Sequence, residues 1–172
     1  MRAPALNAEL RPFVAPGDEN APAGAGTLHA AEFDSPLGSM VALVHGEHGL
    51  ALLDWTDRAG LERAVRSACV ELGARGAPAE ITRATHPLAE RARTQLAEYF
   101  AGERRAFDMP LAPLGTPFQR RAWEALGRIA YGATRSYGAQ AREIGTPAAV
   151  RAVALANGAN FRCVVIPCHR VV

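Results

Sequence analysis

Apolar positions recur along this chain with two different spacings, and each spacing predicts a different kind of element. From Thr27 onward, short apolar runs at residues 28–33, 40–44 and 50–55 are separated by turn residues, a pattern that predicts strands. The glycine-containing turn between the last two runs predicts a β-hairpin. A shorter strand near Ile81 follows, and we expect these strands to form one meander-like sheet.

Helical spacing predicts two helices that cover this sheet. Apolar residues three or four positions apart lie on one face of residues 61–72, which Gly73 closes. The same spacing covers residues 88–100, which end at Gly102. A sheet covered by helices indicates an α+β fold for an N-terminal domain at residues 27–110.

Composition bounds the setting of this domain. Residues 1–26 are mostly Ala, Pro and Gly without periodicity, so they are predicted to be a disordered extension. No stretch approaches the about 20 apolar residues of a membrane span, and no apolar block of a secretory signal follows the N-terminus. Three cysteines, an odd number without framework spacing, suit a reducing, cytoplasmic location. His45 and His48, in the hairpin turn, are interpreted as solvated.

Helix signals become dense after a proline-containing linker at residues 107–115. A capping box at residues 116–119 predicts the start of one helix, and Tyr131-Gly132 its end. Ser136 is placed to cap a second, short helix, and Thr146 a third over residues 147–156. Two helices joined by a short glycine-containing turn favour a helix-turn-helix, in a second domain at residues 111–172.

Charge separates the two halves of the chain. Residues 1–112 hold 11 arginines and 15 acidic residues, a net charge of −4, whereas residues 113–172 hold 8 arginines and 2 acidic residues, a net charge of +6. A basic C-terminal third indicates either a nucleic-acid partner or a solvated arginine surface. The composition of the third helix favours binding to nucleic acid without preference for a base sequence. Small side chains such as Ala149 and Ala152 allow close approach to a groove, and Arg151 could occupy the space of a displaced base.

The last apolar run, residues 164–166, predicts a buried strand that Pro167 stops. Cys168, His169 and Arg170 follow at once. A free thiol has a pKa of about 8.5, so a nucleophilic cysteine needs a base or a positive neighbour, and both follow it here. A structural cysteine at a strand end is the alternative. Because neighbours in an extended chain point to opposite sides, a direct hydrogen bond between His169 and Cys168 is not expected.

Several segments together resemble the O6-alkylguanine-DNA alkyltransferases, also called methylated-DNA–protein-cysteine methyltransferases. The resemblance covers about residues 27–172. It rests on the following segments: Glu98-Tyr99-Phe100-Ala101-Gly102, Gly115-Thr116-Pro117-Phe118-Gln119, Tyr131-Gly132, Ser136-Tyr137-Gly138, Arg151-Ala152-Val153, Ala156-Asn157-Gly158 and Ile166-Pro167-Cys168-His169-Arg170-Val171. The resemblance implies a small mixed α/β, ribonuclease H-like domain followed by a helix-turn-helix, winged-helix-like DNA-binding domain.

The resemblance also implies a reaction. An alkyl group passes from guanine O6 in double-stranded DNA, with O4-alkylthymine left open as a second substrate, to Cys168. The damaged nucleotide is extruded, with Arg151 as the finger that fills the stack and Ala149 and Ala152 against the DNA. The thioether product persists, so each molecule acts once, as an expected monomer without a cofactor. With Cys69 the only cysteine of the N-terminal domain, the zinc that some relatives hold there is not expected.

Further site residues are implied by the same resemblance. Tyr137 is the phenol that protonates the leaving base, and Asn160 braces the recognition helix against the active-site segment. The carbonyl of Val171 accepts from the extruded guanine, and Asn157 is a substrate-binding residue. His169 activates Cys168 through an ordered water and is oriented by a glutamate on a later helix.

Some positions depart from the family pattern. Ala130, Val150 and Phe161 replace residues that are usual there, and Arg162-Cys163 replace more neutral ones. The glycine-rich loop and the glutamate-bearing helix of the family would lie beyond Val172, so the chain as printed resembles a truncated member. It is expected to transfer alkyl groups slowly or not at all, and to associate through the exposed edge of the predicted strand.

Three other functions compete with alkyl transfer. A non-enzymatic, alkyltransferase-like lesion binder would replace the cysteine, so Cys168 argues against it, although truncation could reduce the chain to that role. A helix-turn-helix regulator would need base-reading side chains on residues 147–156. A Cys-His hydrolase would need a histidine bonded directly to the cysteine.

Overall fold

The computed structural model describes residues 26–73, 78–83 and 85–172. The disordered extension predicted at residues 1–26 therefore lies almost wholly outside the described residues. The described chain divides into two compact units, one ending at Ala112 and the other comprising Pro113–Val172. The boundary predicted from the sequence lies after residue 110, and the domain ranges stay predictions.

A four-stranded sheet forms the first unit. Its strands lie in the order β3-β2-β1-β4, with β1–β2 and β2–β3 antiparallel and β1–β4 parallel. They comprise β1 (Thr27–Ser35), β2 (Gly38–His45), β3 (Gly49–Trp55) and β4 (Glu80–Thr82). The predicted hairpin and the short strand at Ile81 are confirmed. Of the two histidines interpreted as solvated, His48 is exposed, but His45 is the last residue of β2 and only 5% exposed, so that interpretation was wrong for His45. Both β2 and β3 are buried along most of their length because helices cover the sheet.

Two amphipathic helices pack on this sheet. Helix α1 (Leu61–Leu72) buries Leu61, Val65 and Leu72, and Gly73 is its C-cap, as the spacing predicts. Helix α2 (Pro87–Phe100) begins at a proline, and its N-cap is an imidazole: His86 Nδ1 accepts from Leu88 N–H at 3.2 Å. The mixed α+β class is confirmed. No helix in the described ranges is long and apolar enough to cross a membrane.

Three helices form the second unit: α3 (Pro117–Gly127), α4 (Tyr137–Glu143) and α5 (Val150–Gly158). The capping box of α3 and the Ser136 cap of α4 are confirmed, since both side-chain hydrogen bonds are present. Two helix boundaries predicted from the sequence were wrong: the C-terminal end of α3 and the start of α5. Helix α3 stops at Gly127 because Arg128 and Ile129 N–H donate to carbonyls three residues back, which closes the last turn early.

The third helix also starts later than expected. Its N-cap is Ala149 and not Thr146. Ala149 N–H donates to the Thr146 carbonyl at 2.9 Å, so these residues form a separate turn before the helix begins. The capping potential of Thr146 in the sequence was overridden by this turn.

The strand predicted at residues 164–166 is absent. Val164 has φ +69°, and Val165 N–H and Ile166 N–H donate to the carbonyls of Cys163 and Arg162, which makes a tight turn. Val164 and Ile166 are nevertheless buried, at 7% and 6% exposure. An apolar run reports burial but not backbone conformation, and here packing against the helices buries a turn. Because these residues form no strand, there is no strand edge here through which chains could associate in the way predicted from the sequence.

Candidate active site

Cys168, whose side chain is half-buried, is the first residue of a short 3-10 turn, Cys168–Arg170. Its backbone is held on both sides: Cys168 N–H donates to the Ile166 carbonyl at 2.8 Å, and its carbonyl accepts from Val171 N–H at 3.2 Å. Cys69 and Cys163 are both buried. Cys168 is thus the cysteine that a substrate can reach from solvent.

The side chain of Asn160 organises the segment before this thiol. It is 1% exposed, its Nδ2 donates to the Ile166 carbonyl at 2.9 Å, and its Oδ1 accepts from Arg162 N–H at 3.0 Å. The same Nδ2 lies 3.5 Å from Cys168 Sγ. An amide N–H that points at sulfur favours the thiolate over the thiol, because a hydrogen bond to the charged form lowers its free energy.

Tyr137 and Cys168 pack against one apolar cluster. The cluster consists of Trp123, Leu126, Ile129, Ile166 and Val171. Tyr137 is the first residue of α4, and its backbone N–H donates to the Val172 carbonyl at 3.3 Å, while Arg135 pairs with Val171 in a short parallel bridge. The structure therefore brings together three predicted site residues: Tyr137, Cys168 and Val171.

His169 follows Cys168 in the 3-10 turn, not in the extended chain assumed from the sequence. Successive side chains of a 3-10 helix diverge by about 120°, so the two side chains still leave the backbone in different directions. The His169 side chain is exposed, but partial desolvation by its surroundings lowers its pKa, and the positive charge of Arg170 lowers that pKa further. The imidazole is therefore neutral at pH 7 and able to accept a proton. Arg170 is itself fixed, because its guanidinium donates to the Ile129 carbonyl at 2.8 Å.

Helix α5 presents a face with little polarity to solvent. Arg151, Ala152 and Leu155 are exposed on it, and Ala149 is half-buried at its N-cap. None of the ion pairs formed among the described residues involves Arg151. The side chains predicted to meet DNA, Arg151, Ala149 and Ala152, therefore lie at the start of one helix, and its single cation remains available to an anionic partner.

Buried hydrogen bonds hold α5 in place from its other face. Trp123 Nε1 donates to the Ala156 carbonyl at 2.8 Å. Asn157 and Gln140 exchange two amide hydrogen bonds, of 2.7 and 3.1 Å, and Gln140 also donates to the Ala122 carbonyl at 3.0 Å. The amide of Asn157, predicted to bind substrate, is 4% exposed and faces Gln140. This position favours a structural role for it.

The sequence pattern does not single out Trp123 or Gln140. A polar residue between two alanines in α4 is the one weak signal for Gln140. Gly115 offers another for Trp123: it has φ +89°, and a Cβ there would lie 2.6 Å from the Trp123 ring. The glycine thus leaves the space that the indole fills.

Charge near the site is arranged around Glu143. Arg128 Nε donates to its carboxylate at 2.7 Å, and Arg135 pairs with it as well. Within the part of the chain that the structure describes, no group of three or more His, Cys, Asp or Glu residues is arranged to hold a metal ion. The side chains that the site offers for chemistry are one thiol, one neutral imidazole, one phenol and an amide donor.

Comparison with known proteins adds to this geometry. The family model of the 6-O-methylguanine DNA methyltransferase DNA binding domain matches residues 117–172. A methylated-DNA–protein-cysteine methyltransferase of Mycobacterium leprae is 39% identical over 150 residues, covering 84% of this chain and 78% of that protein. The constitutive enzyme of that name from Bacillus subtilis is 54% identical over 88 residues, or 51% of this chain. The chain spans about half the length of the Bacillus relative, 53%.

Solved structures give the same picture for the fold. The crystal structure of Mycobacterium tuberculosis OGT in complex with DNA superposes with a TM-score of 0.68 at 39% identity, covering 84% of this chain and 78% of that one. The structure of Mycobacterium tuberculosis O6-methylguanine methyltransferase gives the same TM-score, 0.68, at 37% identity. At this identity and coverage, the likeness extends over both compact units.

Proposed function

The chain belongs to the methylated-DNA–protein-cysteine methyltransferase family, and from this we propose that it repairs DNA by transferring an alkyl group from O6-alkylguanine to Cys168. One observation carries the proposal. The accessible thiol lies 3.5 Å from a buried amide donor, Asn160 Nδ2, on the apolar cluster that also supports Tyr137. A nucleophile, a donor that stabilises its charge and a phenol for the leaving group are thus grouped at one place.

The reaction is a displacement at an sp³ carbon. The Cys168 proton passes to neutral His169 through a water, and the thiolate attacks the alkyl carbon as the carbon–O6 bond breaks. The electron pair of that bond goes to the guanine, and the Tyr137 hydroxyl supplies a proton to its N3. The proton taken up by His169 returns through solvent to the Tyr137 phenolate, and the base exchanges its N3 proton for the ordinary one at N1, so that a thioether and an unmodified guanine result. Nothing among the described residues could cleave a thioether, so one molecule repairs one lesion.

Recognition is proposed to use α4, the turn after it and α5 as a helix-turn-helix, in a winged-helix-like domain. Helix α5 lies in the minor groove, where Ala149 and Ala152 permit close approach and Arg151 fills the stack left by the extruded nucleotide. The backbone carbonyls of Cys168 and Val171 accept from the exocyclic amine of the extruded base. The first unit is assigned to the ribonuclease H-like class. The partner is alkylated double-stranded DNA, bound by a cytoplasmic monomer.

Mass spectrometry after incubation with a duplex that contains O6-methylguanine tests the proposal. We expect at most one added methyl group per molecule, formed slowly on the peptide that carries Cys168, and none on the peptides of Cys69 and Cys163. Cys168→Ser should bind the duplex but gain no methyl group. Binding without any adduct on the parent chain would instead indicate a non-enzymatic lesion binder. An adduct on Cys69 or Cys163 would contradict the assigned nucleophile.

A further inference from the structure

Beyond the predicted arginine finger, the exposed face of α5 carries a large apolar side chain. Leu155 is 77% exposed, the highest value among the large hydrophobic residues of the described ranges. The residues exposed around it are Arg151, Ala152 and Gly158, so the face offers a single charge. Solvent-facing sides of helices in globular proteins ordinarily carry polar residues. This face therefore has the composition of a surface that another molecule covers.

The backbone of α5 at Leu155 is held in place by contacts on the inner side of the helix. The neighbouring residues Ala156 and Asn157 hold α5 through the hydrogen bonds to Trp123 and Gln140. Val153, on the inner side of the helix, is fully buried. Because the backbone at Leu155 is held in this way, pressing its side chain against a partner does not require the helix to move.

Leu155 lies four residues after Arg151, so the two side chains share one face, about 6 Å apart along the helix axis. That rise corresponds to about two base pairs at 3.4 Å per step. The second unit carries a net charge of +6, which complements a polyanion and not an apolar protein surface. Proteins that bind the minor groove often insert apolar side chains, leucine among them, between base steps.

From these observations we propose that Leu155 is a wedge: it enters the minor groove about two base pairs from Arg151 and holds one base step partly unstacked. The proposal rests on the duplex-binding mode of the proposed function. It makes Leu155 a positioning residue for extrusion, because a step already opened beside the lesion leaves less stacking to break when the nucleotide leaves the helix.

The test compares Leu155→Ala with Leu37→Ala, a matched control that removes another leucine, 68% exposed, from the turn between β1 and β2. An undamaged duplex with 2-aminopurine at successive positions reports unstacking by fluorescence. We expect the fluorescence at one position to increase when the parent chain or Leu37→Ala binds, and to stay unchanged when Leu155→Ala binds. Single-turnover repair of an O6-methylguanine duplex should slow by about tenfold, as for about 1.4 kcal/mol. Reaction with free O6-benzylguanine should stay within about twofold.

A conservative variant separates a wedge from a structural role. Leu155→Met keeps an apolar side chain of similar volume and should retain the fluorescence increase and the duplex rate. Unchanged fluorescence and duplex repair in Leu155→Ala would overturn the proposal, and so would equal losses on the duplex and the free base. If the parent chain forms no adduct on Cys168, the proposed transfer fails. The fluorescence comparison still decides the wedge, because it uses undamaged DNA.

Discussion

The two compact units are stabilised in different ways. In the first, backbone ladders join the strands, and the residues of β2 and β3 that fill the core, such as Leu43 and Leu52, are fully buried and apolar. In the second, side-chain amides and an indole join three short helices and an irregular C-terminal segment. A regular ladder uses bonds that almost any sequence can form, whereas the second unit depends on individual side chains.

The cysteines show the chemical consequence of this difference. Burial in α1 raises the pKa of Cys69 to about 11, against a smaller opposing effect of Arg66. That thiol is protonated at neutral pH and enclosed, as expected for a structural cysteine. Cys168 is half-buried and lies beside an amide donor. The thiol of Cys69 is therefore enclosed and protonated, whereas the thiol of Cys168 is partly accessible and has a donor beside it.

The largest expected effect comes from the exposed arginine of α5. Arg151→Ala should slow repair of an O6-methylguanine duplex by about a hundredfold, since extrusion costs a few kcal/mol and 1.4 kcal/mol is tenfold. Reaction with free O6-benzylguanine should hardly change, because no base is extruded. The matched control is Arg66→Ala in the first unit, where Arg66 pairs with Glu62 at 2.9 Å. Equal slowing on both substrates would remove Arg151 from the finger role.

Next in size is the loss of one buried amide from each unit. Asn160→Ala removes two buried hydrogen bonds, one to the Ile166 carbonyl and one from Arg162 N–H, so we expect about 2 kcal/mol less stability and a large loss of transfer to Cys168. The Ile166 carbonyl keeps its bond from Cys168 N–H. Gln95→Ala removes a similar amide, which bonds both backbone groups of Asp108. These two bonds are only part-buried, whereas those of Asn160 are buried, so water can replace them at a cost of about 1 kcal/mol.

Urea unfolding and the rate with free O6-benzylguanine measure both variants of this pair. Gln95→Ala should retain the parent rate because the amide lies in the first unit. If the two variants lose activity equally, the amide of Asn160 has no special part in placing the thiol.

A smaller effect is expected from the amide pair that joins α4 to α5. A double-mutant cycle of Gln140→Ala and Asn157→Ala should give a coupling energy of about 1 kcal/mol, because the pair is buried. The Arg66–Glu62 pair of the first unit, more than half exposed on both sides, should give about 0.4 kcal/mol. Asn157→Ala should not change the concentration of free O6-benzylguanine at which the rate of reaction saturates. A higher saturating concentration would indicate that Asn157 does bind the substrate.

The smallest expected effect is a loss of folding stability at acidic pH. Burial lowers the pKa of His86, and the neighbouring His29, with ring centroids 4.7 Å apart, lowers it further. His86 Nδ1 must be unprotonated to cap α2. The unfolded chain therefore binds the proton more tightly, and stability is lost as pH falls below about 6.5, the unfolded value. Melting temperatures from pH 7.5 to 5.5 should show this, and less so in His86→Asn, which keeps an acceptor that does not titrate. Identical acid profiles would exclude His86 as the cause.

Prediction from the sequence succeeded where one local rule acts alone. Hydrophobic spacing was enough for the hairpin and for α1 and α2, and the capping side chains of Thr116 and Ser136 located the starts of α3 and α4. It failed at Thr146 and at residues 164–166. At Thr146 a competing local turn, closed by Ala149 N–H, delayed the start of the helix. At residues 164–166 the apolar side chains of Val164 and Ile166 are buried by a turn, so their burial did not require a strand.

The sequence by itself determined the residue types of the site: a cysteine beside a histidine, a tyrosine after a helix cap, and one arginine in an alanine-rich helix. These are local facts of order and spacing. Only the tertiary structure decided that Asn160 reaches the Cys168 sulfur, that Asn157 faces Gln140, and that Leu155 is left in solvent. Each depends on how α3, α4 and α5 pack, and packing is set by contacts between residues far apart in the chain, which no local pattern records.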